Sequence, residues 1–157
     1  MWMNMKQIRI EVPSLENSVV SLHDKVITEI VCKETHVDFH FAKGFDVIDG
    51  ATVVPTKIGY VRFEQCDSED FDCYIIKRWP TSKGLKLRGR QISLKKLSYL
   101  LKEKKVSIEV YLELYDFNHT YFRGELLPTK STAFRRLAPL VIIETMDFFP
   151  MTYTWEI

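Results

Sequence analysis

The sequence predicts a mainly-β fold, an antiparallel β-sandwich or barrel with one amphipathic helix at about residues 93–105. Apolar and polar residues alternate in many short segments, as in half-buried strands. Turn signals such as Asp49-Gly50 separate these segments, and the pattern indicates nine or ten strands. With 157 residues, 46% hydrophobic and 27% charged, the chain has the size and composition of one domain, which we place at 1–157.

Residues 36–41 predict one strand with two different faces. His36, Asp38 and His40 alternate with apolar residues and therefore share the face away from the core. On an extended strand the two histidines are about 13 Å apart, so both cannot bind one metal ion without a bulge. We interpret this face as a solvated sheet surface and predict no metal site.

The clearest alternation belongs to a hairpin whose loop we predict at residues 117–119. This register pairs Tyr115 with Tyr121. It also pairs Glu113 with Arg123 and keeps apolar residues opposite apolar ones. A two-residue loop would place Arg123 opposite an apolar core residue, so we favour the longer loop.

The outward face of this hairpin is the first candidate site. Tyrosines beside opposite charges have the composition of a protein–protein interface. The partner-binding residues that we predict are Tyr111, Glu113, Tyr115, Tyr121 and Arg123. The alternative is that a second sheet packs over this face.

Helical periodicity begins after Ser93, a favourable N-cap residue. Leucines recur on one face of the predicted helix and lysines on the other. This helix belongs to the most basic part of the chain, because eleven lysines and arginines between residues 77 and 105 accompany one acid, Glu103.

The basic run is the second candidate site, for nucleic acid or another polyanion. The residues that we predict for it are Lys86, Arg88, Arg90, Lys95, Lys96 and, for stacking, Trp79. Two other interpretations remain open: the cations complement an acidic loop at 67–72, or they solvate the helix. The net charge of +1 is low for a dedicated nucleic-acid binder. A loop predicted at 128–139 adds the pair Arg135-Arg136.

Three cysteines, Cys32, Cys66 and Cys73, are a poor disulfide framework because their number is odd. Cys66 and Cys73 flank the acidic loop, but their spacing exceeds that of zinc-binding pairs. We predict neither a metal nor a cofactor. The N-terminus has no signal-like apolar run, and no stretch reaches the ~20 apolar residues of a membrane helix. These features predict a cytoplasmic protein with no membrane partner.

The sequence contains no recognisable catalytic motif. It has no glycine-rich phosphate loop, no Gly-x-Ser-x-Gly and no His-Glu-x-x-His. This favours a protein that is not an enzyme. The remaining enzyme hypothesis is a barrel pocket in which His23, Asp38 or His40 acts as acid or base.

Two short segments near the N-terminus carry a resemblance: Ser21-Leu22-His23-Asp24-Lys25-Val26-Ile27, and Phe39-His40-Phe41 with Gly44-Phe45. They are similar to the opening of certain small bacterial all-β proteins, over about the first third of the chain. Some of those proteins are encoded near polymorphic toxins and are regarded as immunity proteins. The resemblance therefore implies an immunity-type inhibitor of a bacterial toxin, and it assigns no role to His23 or Asp24.

The leading functional hypothesis is a non-enzymatic protein-binding module of this immunity type. The alternatives are a module that binds nucleic acid or another polyanion through residues 77–105, and a small enzyme with a barrel pocket.

Overall fold

Antiparallel strands dominate the fold. A computed structural model describes residues 4–12, 19–128 and 137–157. The strands in these ranges are β1 (Met5–Ile10), β2 (Val20–Ser21), β3 (Val26–Ile27), β4 (Glu29–Cys32), β5 (His36–Phe41), β6 (Asp46–Asp49), β7 (Thr52–Pro55), β8 (Ile58–Glu64), β9 (Phe71–Thr81), β10 (Gly84–Ile92), β11 (Val106–Asp116), β12 (His119–Pro128), β13 (Leu140–Thr145) and β14 (Met151–Glu156). The helix α1 spans Leu94–Glu103, and a 3₁₀ turn spans Ser68–Asp70. The predicted loop at 128–139, with Arg135-Arg136, falls mostly outside the described residues.

The two larger sheets pack against each other as a sandwich. The five-stranded sheet has the order β1-β14-β8-β5-β4, and the six-stranded sheet has the order β10-β9-β13-β12-β11-β3. A small third sheet has the order β2-β6-β7. The predicted antiparallel sandwich with one helix is confirmed, and the described strands form open sheets instead of a closed barrel. Fourteen described strands replace the expected nine or ten, because several are only two to four residues long.

Four phenylalanines join the two larger sheets. Phe39 and Phe63 come from the five-stranded sheet, Phe71 and Phe122 from the six-stranded sheet, and all four are buried. The ring of Phe39 lies 4.9 Å from that of Phe63 and 5.8 Å from that of Phe122, edge to face in both cases. This geometry stabilises aromatic pairs beyond the burial of their apolar surface. In β5 the period-2 alternation places Val37, Phe39 and Phe41 in the core, as the sequence pattern indicates.

The helix α1 packs against β4 of one large sheet and against β9 and β11 of the other. The Ser93 hydroxyl accepts a hydrogen bond from the Lys96 backbone N–H at 3.0 Å, which confirms Ser93 as the N-cap. Leu94, Leu97 and Leu101 are buried. The predicted amphipathic helix is thus confirmed in position and in orientation.

The β11–β12 hairpin corrects the predicted register. Asp116 pairs with His119, so the loop has two residues, and the predicted three-residue loop is wrong. The register then shifts between Val110 and Leu112, which makes Tyr111 the extra residue of a β-bulge. The two-residue loop puts Leu112 opposite Arg123, a pairing that the predicted three-residue loop would avoid.

The bulge inverts the two faces of β11. Ile108 and Val110 point into the core before it, whereas Glu113 and Tyr115 do so after it, opposite buried residues of β12. Leu114 points outward and is 53% exposed. Leu112 and Leu114 are therefore outward residues, although alternation without a bulge predicts them inside.

The turn that follows β2 is hydrogen-bonded to β11 at the bulge. The Asp24 backbone N–H donates to the Val110 carbonyl at 2.7 Å, and the Val110 N–H donates to the Lys25 carbonyl at 2.8 Å. The Leu22 backbone N–H donates to a carboxylate oxygen of Glu113 at 2.7 Å. Burial of this carboxylate raises the pKa of Glu113 to about 7, although the bond from Leu22 acts in the opposite direction.

At pH values well above 7, replacing Glu113 with Gln should raise the free energy of unfolding relative to the wild type. At pH values below 4.5 the same replacement should change it little. The carboxyl has its ordinary pKa of 4.5 in the unfolded chain and a pKa of about 7 in the folded protein. Because the unfolded chain releases its proton first, the contribution of Glu113 to stability falls as the pH rises between these values. The full penalty, about 3 kcal/mol, is present above the higher value. Urea unfolding at a series of pH values measures the difference.

Glu29, which is exposed on β4, provides the matched control. Glu29→Gln should reproduce the pH dependence of the wild-type protein. If Glu113→Gln also keeps the wild-type pH dependence, the Glu113 carboxyl is not held in the interior of the sandwich.

Candidate functional site

β9 and β10 form a two-stranded ribbon at the edge of the six-stranded sheet. The register pairs Arg88 with Lys77 and Lys86 with Trp79. Directly paired residues of antiparallel strands lie on the same face. β10 is exposed over residues 84–91, so both faces of the outer ribbon reach solvent.

One face of this ribbon is basic. Side chains alternate along each strand, so every second residue of β9 joins every second residue of β10. The members of this basic face are Lys77, Trp79, Lys86, Arg88 and Arg90. The face carries no carboxylate, because the sequence has no acidic residue between Asp72 and Glu103.

Positive charges on the basic face are concentrated, and the fold does not neutralise them. Arg88 lies directly opposite Lys77, and like charges in such a pair destabilise neighbouring strands. Among the residues that the structure describes, no carboxylate lies within ion-pair distance of the four cations of this face. This cluster of like charges does not stabilise the fold, so we regard the basic face as a candidate binding surface.

Trp79 is the aromatic member of the basic face. The ammonium nitrogen of Lys86 lies 5.5 Å from the centre of its ring, a cation–π contact. This contact connects the two strands of the ribbon and keeps the ring half-buried.

The opposite face of the ribbon is apolar and anchored to the sheet. Leu85 and Leu87 are both more than half exposed there. Arg78 donates to the Ala138 carbonyl at 2.8 Å and to a Glu125 carboxylate oxygen at 3.0 Å. Arg78 therefore serves the fold and does not belong to the basic face.

Four of the six residues predicted to bind a polyanion lie together on the basic face. The other two, Lys95 and Lys96, are exposed in the first turn of α1, beyond the buried end of β10. Lys77 is a member that the predicted set lacks. Lys77 is identified as a member only by the pairing of β9 with β10, which cannot be predicted from this sequence alone.

The predicted partner-binding residues do not share one face. Tyr121 and Arg123 point outward on β12, and Tyr111 occupies the bulge, where its hydroxyl bonds to neighbouring carboxylates. Glu113 and Tyr115 point into the sandwich instead. The prediction of a common outward face is wrong, because the bulge reverses β11 between Tyr111 and Glu113.

The predicted polar face of β5 is confirmed, and Arg62 organises it. Arg62 donates to both carboxylate oxygens of Asp38, at 2.8 and 2.9 Å. His40 stacks on Tyr60 with ring centroids 5.2 Å apart, and His36 Nε2 lies 3.9 Å from Asp38. Asp38 is only 5% exposed, so this face is less solvated than predicted. Both oxygens of Asp38 are used by Arg62, which leaves this carboxylate poorly suited to a metal ion.

Cys32, Cys66 and Cys73 are free thiols. Burial raises the pKa of Cys66 and of Cys73 to about 12, so neither thiol ionises readily near neutral pH. Within 4–12, 19–128 and 137–157, no group of three His, Cys, Asp or Glu side chains is arranged to hold a metal ion. In the same part of the chain, no helix is long and apolar enough to cross a membrane.

Asp38 and His40, two residues of the enzyme hypothesis, share the polar face of β5, whereas His23 lies on the turn after β2. His23 and Asp24 form an exposed pair on a turn, with Nδ1 and Oδ2 3.1 Å apart. A cleft of about 580 Å³ lies beside β5, β8 and the 3₁₀ turn, and His36 lines it. His23, Asp38 and His40 do not line this cleft, so it does not join them into an acid–base site.

The chain matches no protein-family model, no curated protein and no solved structure. By the geometry and charge of the chain's own residues, the basic face of the β9–β10 ribbon is the strongest candidate site.

Replacing Asp38 with Asn should lower the free energy of unfolding by about 1–3 kcal/mol, because the Arg62 guanidinium then loses its bidentate, charged partner. Urea unfolding measures this loss. Asp49→Asn, at an exposed position of β6, is the matched control and should change stability by less than about 0.5 kcal/mol. Equal unfolding midpoints for Asp38→Asn and the wild type would contradict the structural role given to this pair.

Proposed function

We propose that the protein is a non-enzymatic binding module whose basic face binds a linear polyanion. The observation that carries this proposal is the register of β9 and β10, which gathers four cations and a tryptophan on one exposed face. A polyanion bound there would neutralise these cations and release its own condensed counterions.

The spacing of the cations favours a chain of charges over a single anion. Lys86, Arg88 and Arg90 follow each other at every second position of β10, about 7 Å apart along the strand. Lys77 adds a parallel position on β9. An extended polymer with repeated negative charges contacts several of these side chains together, whereas a small anion contacts one or two.

The acidic loop does not provide an internal partner for the basic face. The Asp67 carboxylate accepts from the Glu69 N–H, and the Asp70 carboxylate accepts from the Asp67 N–H, both at 2.8 Å. These bonds cap the 3₁₀ turn. These carboxylates thus stabilise local structure, and in the described part of the chain none of them forms an ion pair with the four cations of the basic face.

Replacing Lys86, Arg88 and Arg90 together with Glu should move the elution of the protein from a heparin column to much lower salt. The three side chains are exposed, and Glu at position 88 would face Lys77 as an opposite charge, so we expect the fold to tolerate the change. Circular dichroism checks the fold, and the salt concentration at elution measures the loss of binding.

Three exposed lysines outside the ribbon provide a control with the same change in net charge: Lys33, Lys43 and Lys57. The corresponding triple Glu variant should elute close to the wild-type position. Equal shifts for the two triple variants would mean that total charge, and not the basic face, determines binding.

A second candidate function is a protein-binding module of immunity type, and the exposed hairpin β11–β12 favours it. Leu114 is 53% and Phe117 70% exposed. Leu114 pairs with Tyr121, and Arg123 flanks them on the same face. Exposed apolar side chains with a neighbouring charge are typical of protein-binding surfaces. The resemblance at the N-terminus would make the partner a toxin.

Leu114→Asp tests this second candidate in nuclease-treated pull-downs from the source cells. A protein retained by the wild type and by the Lys86/Arg88/Arg90 variant, but lost with Leu114→Asp, would assign the hairpin as its docking surface. Loss with the ribbon variant alone would assign the captured protein to the basic face. Retention by both variants would contradict a role for either surface in that complex.

A further inference from the structure

Trp79 lines two clefts. One cleft, of about 410 Å³, places Trp79 beside the cations Lys77, Arg88 and Arg90. The other, of about 560 Å³, is lined by Lys77, Arg78, Trp79, Leu137 and Pro139. The first cleft therefore offers positive charge, and in the second Leu137 and Pro139 add apolar surface next to the indole ring.

The two clefts lie on either side of β9 within the sheet, one toward β10 and the other toward the segment that leads into β13. Lys86 of β10 covers Trp79 from one side. On the other side runs the chain that leads into β13, where Arg78 donates two bonds to the Ala138 carbonyl. Leu137 and Pro139, the neighbours of Ala138, border the apolar cleft. The bonds of Arg78 hold this chain in place and keep the cleft beside the ring formed.

We propose that the polyanion is a single-stranded nucleic acid, with a base stacked against Trp79 in the apolar cleft and phosphates on Lys77, Arg88 and Arg90. This inference rests on the proposed function of the basic face. Single-strand binding sites combine a cationic groove for the backbone with aromatic side chains on which bases stack. Both parts are adjacent at Trp79.

Other linear polyanions use only half of this arrangement. A sulfated polysaccharide has no flat aromatic group to place against the indole. A duplex keeps its bases stacked on each other, so they cannot stack on Trp79 without being unpaired. The apolar cleft beside the cations thus distinguishes a single strand from both.

Fluorescence anisotropy with a labelled oligothymidylate of roughly 12 nucleotides, within the site sizes of single-strand binders, tests the inference. The same strand without bases and a heparin fragment serve as the other two probes, and a duplex of the same length is compared with the single strand. Trp79→Ala should weaken binding of the oligothymidylate by roughly 5- to 150-fold, the range for loss of one base stack. It should leave the binding of the abasic strand and of heparin nearly unchanged.

Two further variants separate stacking from folding. Trp79→Phe keeps an aromatic ring and should retain most of the affinity for the oligothymidylate. Tyr99→Ala removes an aromatic side chain that is 59% exposed on α1 and should change nothing. The oligothymidylate should also quench the tryptophan fluorescence of the wild type and not that of Trp79→Phe.

The outcomes distinguish this inference from the proposal on which it rests. If Trp79→Ala weakens all three probes equally, or none, or if a duplex binds more tightly than the single strand, base stacking on Trp79 is refuted while polyanion binding stands. If the wild-type protein binds none of the three probes at low salt, the proposed function fails and the single-strand inference fails with it.

Discussion

The alternation of side chains along β9 is the constraint on which both the core and the basic face depend. Phe71, Cys73 and Ile75 point into the sandwich, and the same face of the strand continues outward as Lys77 and Trp79. A strand cannot change the face that it presents without a bulge. A shift of β9 by one residue would therefore expose its core residues and also turn Lys77 and Trp79 away from the cations of β10. Packing of the core fixes the composition of the basic face.

The bulge in β11 shows the opposite case, in which alternation stops and the strand changes faces. Tyr111 alternates with its neighbours as regularly as any residue of the strand, so the pattern alone gives no sign of the bulge. The partner strand β12 does carry a sign of the bulge, which is its glycine. Gly124 pairs with Val110, and a Cβ atom there would lie 2.2 Å from the Glu109 carbonyl oxygen. Glycine inside a strand indicates such a close approach, and it predicts an irregular pairing that the hydrophobic pattern conceals.

Local patterns account for what the sequence predicts correctly. The helix α1 and the polar face of β5 each depend on the periodicity of a single segment. Lys86, Arg88 and Arg90 are predicted from the local density of positive charge, whereas their common face follows from the strand β10, which the sequence analysis does not predict. Trp79 and Lys77 join the basic face only through the pairing of β9 with β10, which is a contact between segments. The prediction of a common outward face on the hairpin is wrong because it also depends on contacts between segments. The register of the hairpin is set by strand pairing and by the turn at Leu22 that docks on it.

A net charge of +1 is weak evidence against a polyanion site on this protein. At physiological ionic strength the interaction of exposed charges is screened over about 8 Å, whereas the sheets of a sandwich lie about 10 Å apart. A phosphate on the ribbon would therefore interact with Lys77 and Arg88 and would be screened from carboxylates beyond the other sheet. Asp38, on that other sheet, is in addition neutralised by Arg62. The near balance of charge limits long-range attraction of a polyanion, and it leaves short-range contact on the basic face intact.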